Sequence, residues 1–143
     1  MRKLTALALA ICLMCVTATA AAATSRYKGD VDPSGTLSFQ VEKQNGKQKV
    51  AKLKWTGLPV DCGGQPGATS GNLTFKVPVK KGAFHAKAVL GDSADPDAKA
   101  EIHGTLTGKT ASGTIALSGN ALPLDGENSS DCLSGKLNWS ASR

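Results

Sequence analysis

Apolar and polar residues alternate with a period of two along most of this chain, beginning near residue 36. In TLSFQV the alternation places Leu37, Phe39 and Val41 on one face. The same pattern recurs in VAKLKWTGL, NLTFKVPV, GAFHAKAV, AEIHGTL, SGTIAL and KLNWSA, and Gly, Asn, Asp and Pro separate the runs. No helical period follows the N-terminal segment. The pattern predicts an all-β domain, an antiparallel β-sandwich of roughly seven to nine short strands, with an up-and-down β-barrel as the alternative.

The turn between the first two of these runs affects the register of their pairing. Asn45-Gly46 is typical of a two-residue hairpin turn, but such a turn would place Phe39 opposite Lys52. A loop one residue longer, with Gly46 in the left-handed position, pairs Phe39 with Ala51 and keeps apolar residues opposite one another. We therefore predict the three-residue loop.

The first 23 residues, MRKLTALALAICLMCVTATAAAA, have the features of a secretory signal peptide. Arg2 and Lys3 precede an apolar stretch, which ends in several A-x-A cleavage sites. The stretch is too short to span a bilayer comfortably, and no later segment approaches spanning length. We therefore expect a signal peptide over 1–23, a single β-domain over 24–143, no transmembrane segment after cleavage, and a secreted or periplasmic location.

Cleavage would leave two cysteines, Cys62 and Cys132, which in an exported protein are most simply one disulfide. Trp55 precedes the first cysteine by seven residues and Trp139 follows the second by seven. An antiparallel arrangement would therefore bring both the cysteines and the tryptophans together. We predict that the last strand docks against the strand over 49–58 and is held there by the disulfide.

The two histidines are the candidate metal ligands. Pairing of the strands around them puts Ala86 opposite Ile102, and His85 opposite His103 on the outward face. Two ligands make an incomplete transition-metal site, and the sequence shows no obvious third. We interpret both as solvated surface residues and expect no metal and no cofactor.

Catalytic motifs are not convincing in this sequence. Ser93 lies in a GDSAD segment without the strand-to-helix turn of a nucleophile elbow. The GTLTGKT segment has one residue too few between its glycines for a phosphate-binding loop. No nucleophile–base pair or recognisable carboxylate pair is present, so we expect no catalytic residues and leave open whether the protein is an enzyme.

A lysine-rich hairpin is the candidate binding surface, and it contains Lys43, Lys47, Lys49, Lys52 and Lys54. Such a patch suits an anionic envelope polymer, lipid head groups or nucleic acid. The alternative is that the lysines keep the outer face soluble and protect an exposed strand from aggregation. Nucleic acid is not expected, because the predicted mature chain has only two arginines, Arg26 and Arg143, and only Tyr27 is left as a free aromatic.

Several short motifs resemble those of a class of small uncharacterised secreted bacterial β-rich proteins. They are Tyr27-Lys28-Gly29, the lysine hairpin, Cys62, Gly82-Ala83-Phe84, Ile102-His103-Gly104, and a closing C-x-x-G-x-x-x-W-x-A that starts at Cys132. The resemblance implies an exported β-rich fold with one disulfide and implies no particular activity.

These observations favour a monomeric, secreted, non-catalytic binding or interaction module at the cell envelope or outside the cell. The sequence does not identify its partner, and the candidates are an anionic envelope polymer and a protein. One alternative is a small secreted enzyme or enzyme inhibitor that uses loops 63–72 and 90–97, since function on a β scaffold usually resides in loops. A second alternative is a barrel that carries a small apolar ligand.

Overall fold

The computed structural model describes residues 22–90, 98–119 and 131–143, and all regular structure in these ranges is β. The strands are β1 (Ala23–Asp32), β2 (Thr36–Gln44), β3 (Lys47–Cys62), β4 (Gln65–Pro78), β5 (Ala83–Val89), β6 (Lys99–Thr107), β7 (Thr110–Gly119) and β8 (Cys132–Ser142). The sequence pattern did not reveal β1, because Gly29 interrupts the apolar alternation between Tyr27 and Val31. Within the described ranges no helix has the length and apolarity needed to cross a membrane. The predicted signal peptide lies almost wholly outside them.

The strands form one antiparallel sheet in the order β4-β3-β2-β1-β8-β7-β6-β5, with an additional pairing between β3 and β8. Neighbours in the sheet are also neighbours in sequence, except that β8 returns to β1. Because β3 pairs with β8 as well, strands β1, β2, β3 and β8 form a closed ring. The all-β antiparallel architecture is confirmed, and the continuous closed sheet corresponds to the barrel alternative. Strand β4 lies at an end of the sheet and stops at Pro78, as expected for a residue without an N–H group.

The β2–β3 turn differs from the predicted three-residue loop. Gln44 pairs with Lys47, so Asn45 and Gly46 form a two-residue turn. Both turn residues have positive φ, 51° and 74° respectively. This is the backbone of a type I′ turn, whose twist matches that of the strands. The prediction of a longer loop was wrong.

The register is corrected by a β-bulge within the hairpin. Val41 pairs with Val50 near the turn, and Leu37 pairs with Trp55 after a one-residue shift in β3. Lys52 lies at this shift and has a φ of 53°. Since side chains alternate with a period of two, a one-residue offset must be accommodated somewhere for both halves to keep their apolar face inside. The sequence indicated that an offset was needed, but the predicted offset was at the turn and in the opposite direction, and it would have put Phe39 rather than Gln40 opposite Ala51.

The disulfide lies where β3 and β8 meet and close the ring. Cys62 and Cys132 are directly opposite one another in the β3–β8 ladder and are bonded. Both are buried. The predicted pairing of these cysteines is confirmed.

The last strand does pair with β3, the strand that contains 49–58, but not along the predicted residues. The β3–β8 ladder contains only two residue pairs, at the cysteine end, because the edge of β8 is then taken by β1. Trp139 therefore lies opposite Val31, while Trp55 lies opposite Leu37 of β2. The equal seven-residue spacing of tryptophan and cysteine on the two strands therefore predicts the pairing of the cysteines but not that of the tryptophans.

Four of the buried aromatic rings form a cluster in the interior. Tyr27 stacks on Phe39 with centroids 5.1 Å apart, and Phe84 and Trp139 each lie 5.6 Å from Phe39. The hydroxyl of Tyr27 donates a hydrogen bond to the carbonyl of Gly108 at 2.9 Å. Tyr27 is buried, so the prediction that it is a free aromatic was wrong. Its hydroxyl group has a hydrogen-bond partner, as is usual for a buried tyrosine. An interior occupied in this way does not favour the apolar-ligand alternative.

Replacing both disulfide cysteines, as in Cys62→Ser with Cys132→Ser, is expected to lower the free energy of unfolding by about 4 kcal/mol. The bond closes a loop of 70 residues, which restricts the unfolded chain. Denaturant unfolding measures the loss. A reducing agent should destabilise the parent protein similarly and leave the double variant unaffected. Equal stability of parent and variant would contradict the structural role.

Gly104→Ala is expected to destabilise the fold by about 1–3 kcal/mol, the usual effect of overpacking. A Cβ at Gly104 would overlap the Phe84 ring and lie 2.8 Å from the Trp139 ring. Thermal or denaturant unfolding measures the change. Thr105→Ala, at the exposed neighbouring position, is the control and should change stability by less than about 0.5 kcal/mol.

Candidate functional site

Three cationic side chains converge on the outer surface of strands β1–β3. Arg26 comes from β1, and Lys52 and Lys54 come from β3. With Ser38 and Gln40 of the intervening strand they line a shallow pocket of about 240 Å³. We call this group of five residues the basic pocket.

Strand register brings these side chains together. Arg26 is the partner of Gln40, and Ser38 is the partner of Lys54. Alternation then points the cations outward, since Tyr27 beside Arg26 is buried in the interior. The bulge at Lys52 adds the third cation on the same surface.

The cations of the basic pocket form no ion pair with the acids that the structure describes. Among the described residues, no carboxylate lies within 4.0 Å of the charged groups of Arg26, Lys52 or Lys54. Glu42 of β2 is paired instead with Lys76 of β4 at 3.1 Å. Uncompensated positive charge in a concave surface attracts anions.

The other lysines of the predicted set lie outside the basic pocket. Lys43, Lys47 and Lys49 are exposed near the β2–β3 turn, and Lys49 is opposite Glu42. Sequence reasoning missed the part played by Arg26, because Arg26 lies on a strand that the alternation did not reveal. Only the β1–β2 pairing places it beside the lysines.

A second polar group lies on the outer face of β5 and β6. His85 pairs with His103, as predicted, and their rings stack at 3.9 Å with an interplanar angle of 10°. Oε1 of Glu101 lies 2.8 Å from Nε2 of His85 and 3.0 Å from Nε2 of His103. The ammonium of Lys87 lies 3.3 Å from the same oxygen. We call His85, Glu101 and His103 the His–Glu–His cluster.

Glu101 is the third potential ligand that sequence reasoning did not find. Ligand atoms of the three cluster residues all lie within 4.8 Å of one another. The signal was present in the sequence: Glu101 precedes His103 by two residues, which puts both on one face of a strand. The structure thus brings together a possible metal-ligand set where the sequence showed a pair.

Hydrogen bonds from His85, then from His103, lower the pKa of the Glu101 carboxyl from 4.5 to about 2, and Lys87 adds to the effect. An ionised carboxylate only accepts hydrogen bonds, so each Nε2 acts as the donor here. Glu101 therefore stays ionised throughout the neutral and mildly acidic range.

The two loops predicted to carry an alternative site have different outcomes. Residues 63–72 are not a loop, because a turn at Gly63-Gly64 leads directly into β4 at Gln65. Of residues 90–97 only Leu90 belongs to the described part of the chain, and it is buried. The GDSAD segment with Ser93 also lies outside the described residues.

Comparisons of the chain with protein-family models, with curated proteins and with solved structures found no match to any of them.

Removing both histidines, as in His85→Ala with His103→Ala, is expected to raise the pKa of Glu101 from about 2 toward 4.5, because its two main hydrogen-bond donors are lost. In the parent protein, the hydrogen bonds of the ionised Glu101 carboxylate stabilise the fold above pH 4.5, and this stabilisation is lost as the pH falls toward 2. Carboxyl-carbon NMR titration of Glu101 measures the shift. Ser112→Ala on β7 should leave the titration unchanged, and an unshifted Glu101 in the double variant would contradict the geometry.

Proposed function

We propose that this protein is an exported, non-catalytic binding module that holds an anionic polymer of the cell envelope on the outer face of β1–β3. The observation that carries the proposal is the basic pocket, in which Arg26, Lys52 and Lys54 face a common concavity without a carboxylate partner among the described residues.

The size of the pocket favours a polymer over a small organic ligand. Sites for small molecules commonly measure about 300–1,000 Å³. A shallow pocket of about 240 Å³ has room for one phosphate or carboxylate group with part of its sugar or alcohol unit. Exposed Lys28 and Lys49 on the neighbouring parts of β1 and β3 provide further positive charge for the adjoining units of a chain.

Strand geometry supports recognition of a regularly charged chain. The backbone positions of the three cationic residues are held by a closed sheet whose opposite face is the packed interior, so the spacing of their Cα atoms changes little on binding. Arginine contributes a planar fork that suits phosphate or carboxylate, while each lysine contributes a mobile point charge. Such a surface gives modest affinity per unit and gains strength from repeated units.

Export is part of the proposal. The N-terminal segment has the features of a signal peptide, and the Cys62–Cys132 disulfide is compatible with an oxidising compartment. A secreted or periplasmic protein with a basic outer face would encounter the phosphate- or carboxylate-bearing polymers of the bacterial envelope.

The test compares the parent with a triple variant, Arg26→Gln, Lys52→Gln and Lys54→Gln, on immobilised polyphosphate and polygalacturonate. The parent should bind and lose affinity with salt. The variant should bind roughly tenfold more weakly, which corresponds to about 0.5 kcal/mol for each of the three exposed charges. Its slope of log affinity against log salt should fall by about 2, by analogy with the 0.7 per phosphate contact of single-stranded nucleic acid. Surface plasmon resonance measures both quantities.

The matched control removes the same charge elsewhere: Lys80→Gln, Lys81→Gln and Lys109→Gln, in the β4–β5 and β6–β7 turns. Like the test variant it alters one lysine with positive φ, Lys81. It should keep most of the parent affinity. Equal losses in both variants would mean that net charge alone causes binding, and would overturn the proposed site. Neutral dextran should not bind, and tighter binding to single-stranded DNA than to either polymer would overturn the choice of partner.

A further inference from the structure

The His–Glu–His cluster offers a donor set suited to a metal ion. Two imidazole nitrogens and one carboxylate oxygen are the combination found in many three-ligand zinc sites. Imidazole favours zinc, copper and nickel, whereas calcium and magnesium prefer sets made of oxygen alone.

The backbone places these donors without any loop. His85 and His103 are directly opposite in the β5–β6 ladder, and Glu101 is opposite Lys87, so the four side chains form the corners of one patch. Directly opposite residues in an antiparallel pair hold their Cβ atoms about 4.5–5.5 Å apart. The site is therefore preorganised by strand pairing.

The observed distances are close to those a bound ion requires. Bonds of about 2.0–2.2 Å to a common ion separate neighbouring donor atoms by roughly 3.0–3.5 Å. The two Nε2–Oε1 distances are 2.8 Å and 3.0 Å. Binding therefore needs the donors to part by a few tenths of an ångström, and each imidazole must carry its proton on Nδ1 instead of Nε2 so that the Nε2 lone pair can bind the ion.

Two adjustments accompany binding. The imidazole rings are nearly parallel, at 10°, so their lone pairs do not meet at one point until the rings tilt toward each other. Both side chains are about half exposed, at 46% and 50%, and His χ2 rotates over a broad range without disturbing the interior. The ammonium of Lys87 must also leave Oε1, which it approaches to 3.3 Å.

The surroundings leave room for further ligands on such an ion. Glu101 and Lys87 also border a groove of about 380 Å³, which Val89, Lys99 and Ser118 line as well. Three protein donors leave at least one coordination position for water or a small anion on this side.

The geometry points to a new site: His85, Glu101 and His103 bind one divalent transition-metal ion of the zinc and copper class at the outer face of β5–β6. The ion holds exchangeable ligands on the groove side. This site lies on different strands from the basic pocket and does not depend on the polymer-binding proposal.

The test is calorimetric titration with Zn²⁺ of the full chain, without a histidine tag and with Cys62 and Cys132 oxidised, at pH 7.5. The parent should bind one more equivalent than the variant with both His85→Ala and His103→Ala. That variant also measures any zinc held by Cys12 and Cys15. Glu101→Gln should bind at least roughly tenfold more weakly, as expected when a charged ligand is lost.

Two controls separate the metal site from a general effect on folding or charge. Lys87→Met removes the competing ammonium and should keep or tighten zinc binding, while the triple variant of the basic pocket should bind zinc like the parent. Near-ultraviolet circular dichroism should be the same in all variants, because the altered side chains point outward.

A spectroscopic measurement identifies the ligands directly. With one equivalent of Cu²⁺, electron paramagnetic resonance of the parent should show hyperfine coupling to two imidazole nitrogens, and His103→Ala should show one. Equal zinc binding by parent and double-histidine variant, or a parent copper spectrum without imidazole nitrogen, would overturn the site.

Discussion

The closed ring of strands depends on one constraint, the two-residue pairing between β3 and β8. Two residue pairs and the Cys62–Cys132 bond join strands that lie far apart in the sequence. With that contact made, β1 and β2 are enclosed between β3 and β8, and the inner faces of the ring share one interior. The outer face must then carry the polar and charged alternation, because every strand has only two faces.

The interior and the basic pocket are linked through the bulge at Lys52. Without the extra residue, one half of β3 would turn its apolar side chains outward and its lysines inward. With it, Leu53 and Trp55 are buried and Lys54 remains exposed beside Ser38. The same irregularity thus protects the core and assembles the cationic surface. Bulges commonly have this double effect near functional sites.

The His–Glu–His cluster arises differently, from regular geometry. The antiparallel ladder between β5 and β6 has no bulge, so the residue numbers of every opposing pair add up to the same total. This is why the His85–His103 pair could be predicted from the sequence. The contribution of Glu101 follows from the same rule applied within one strand. It escaped notice because a single acid on a lysine-rich surface resembles an ordinary solvated residue.

The sequence by itself determined the all-β class, the period of the strands, the cysteine pair and the opposing histidines, because these depend on local alternation and on simple index relations. The tertiary structure decided where the register offset lies, that Tyr27 is buried, and that β1 separates β8 from most of β3. It also decided that Arg26 joins Lys52 and Lys54. Each of these depends on which strands become neighbours, and that choice is made by packing a common interior from segments distant in the chain.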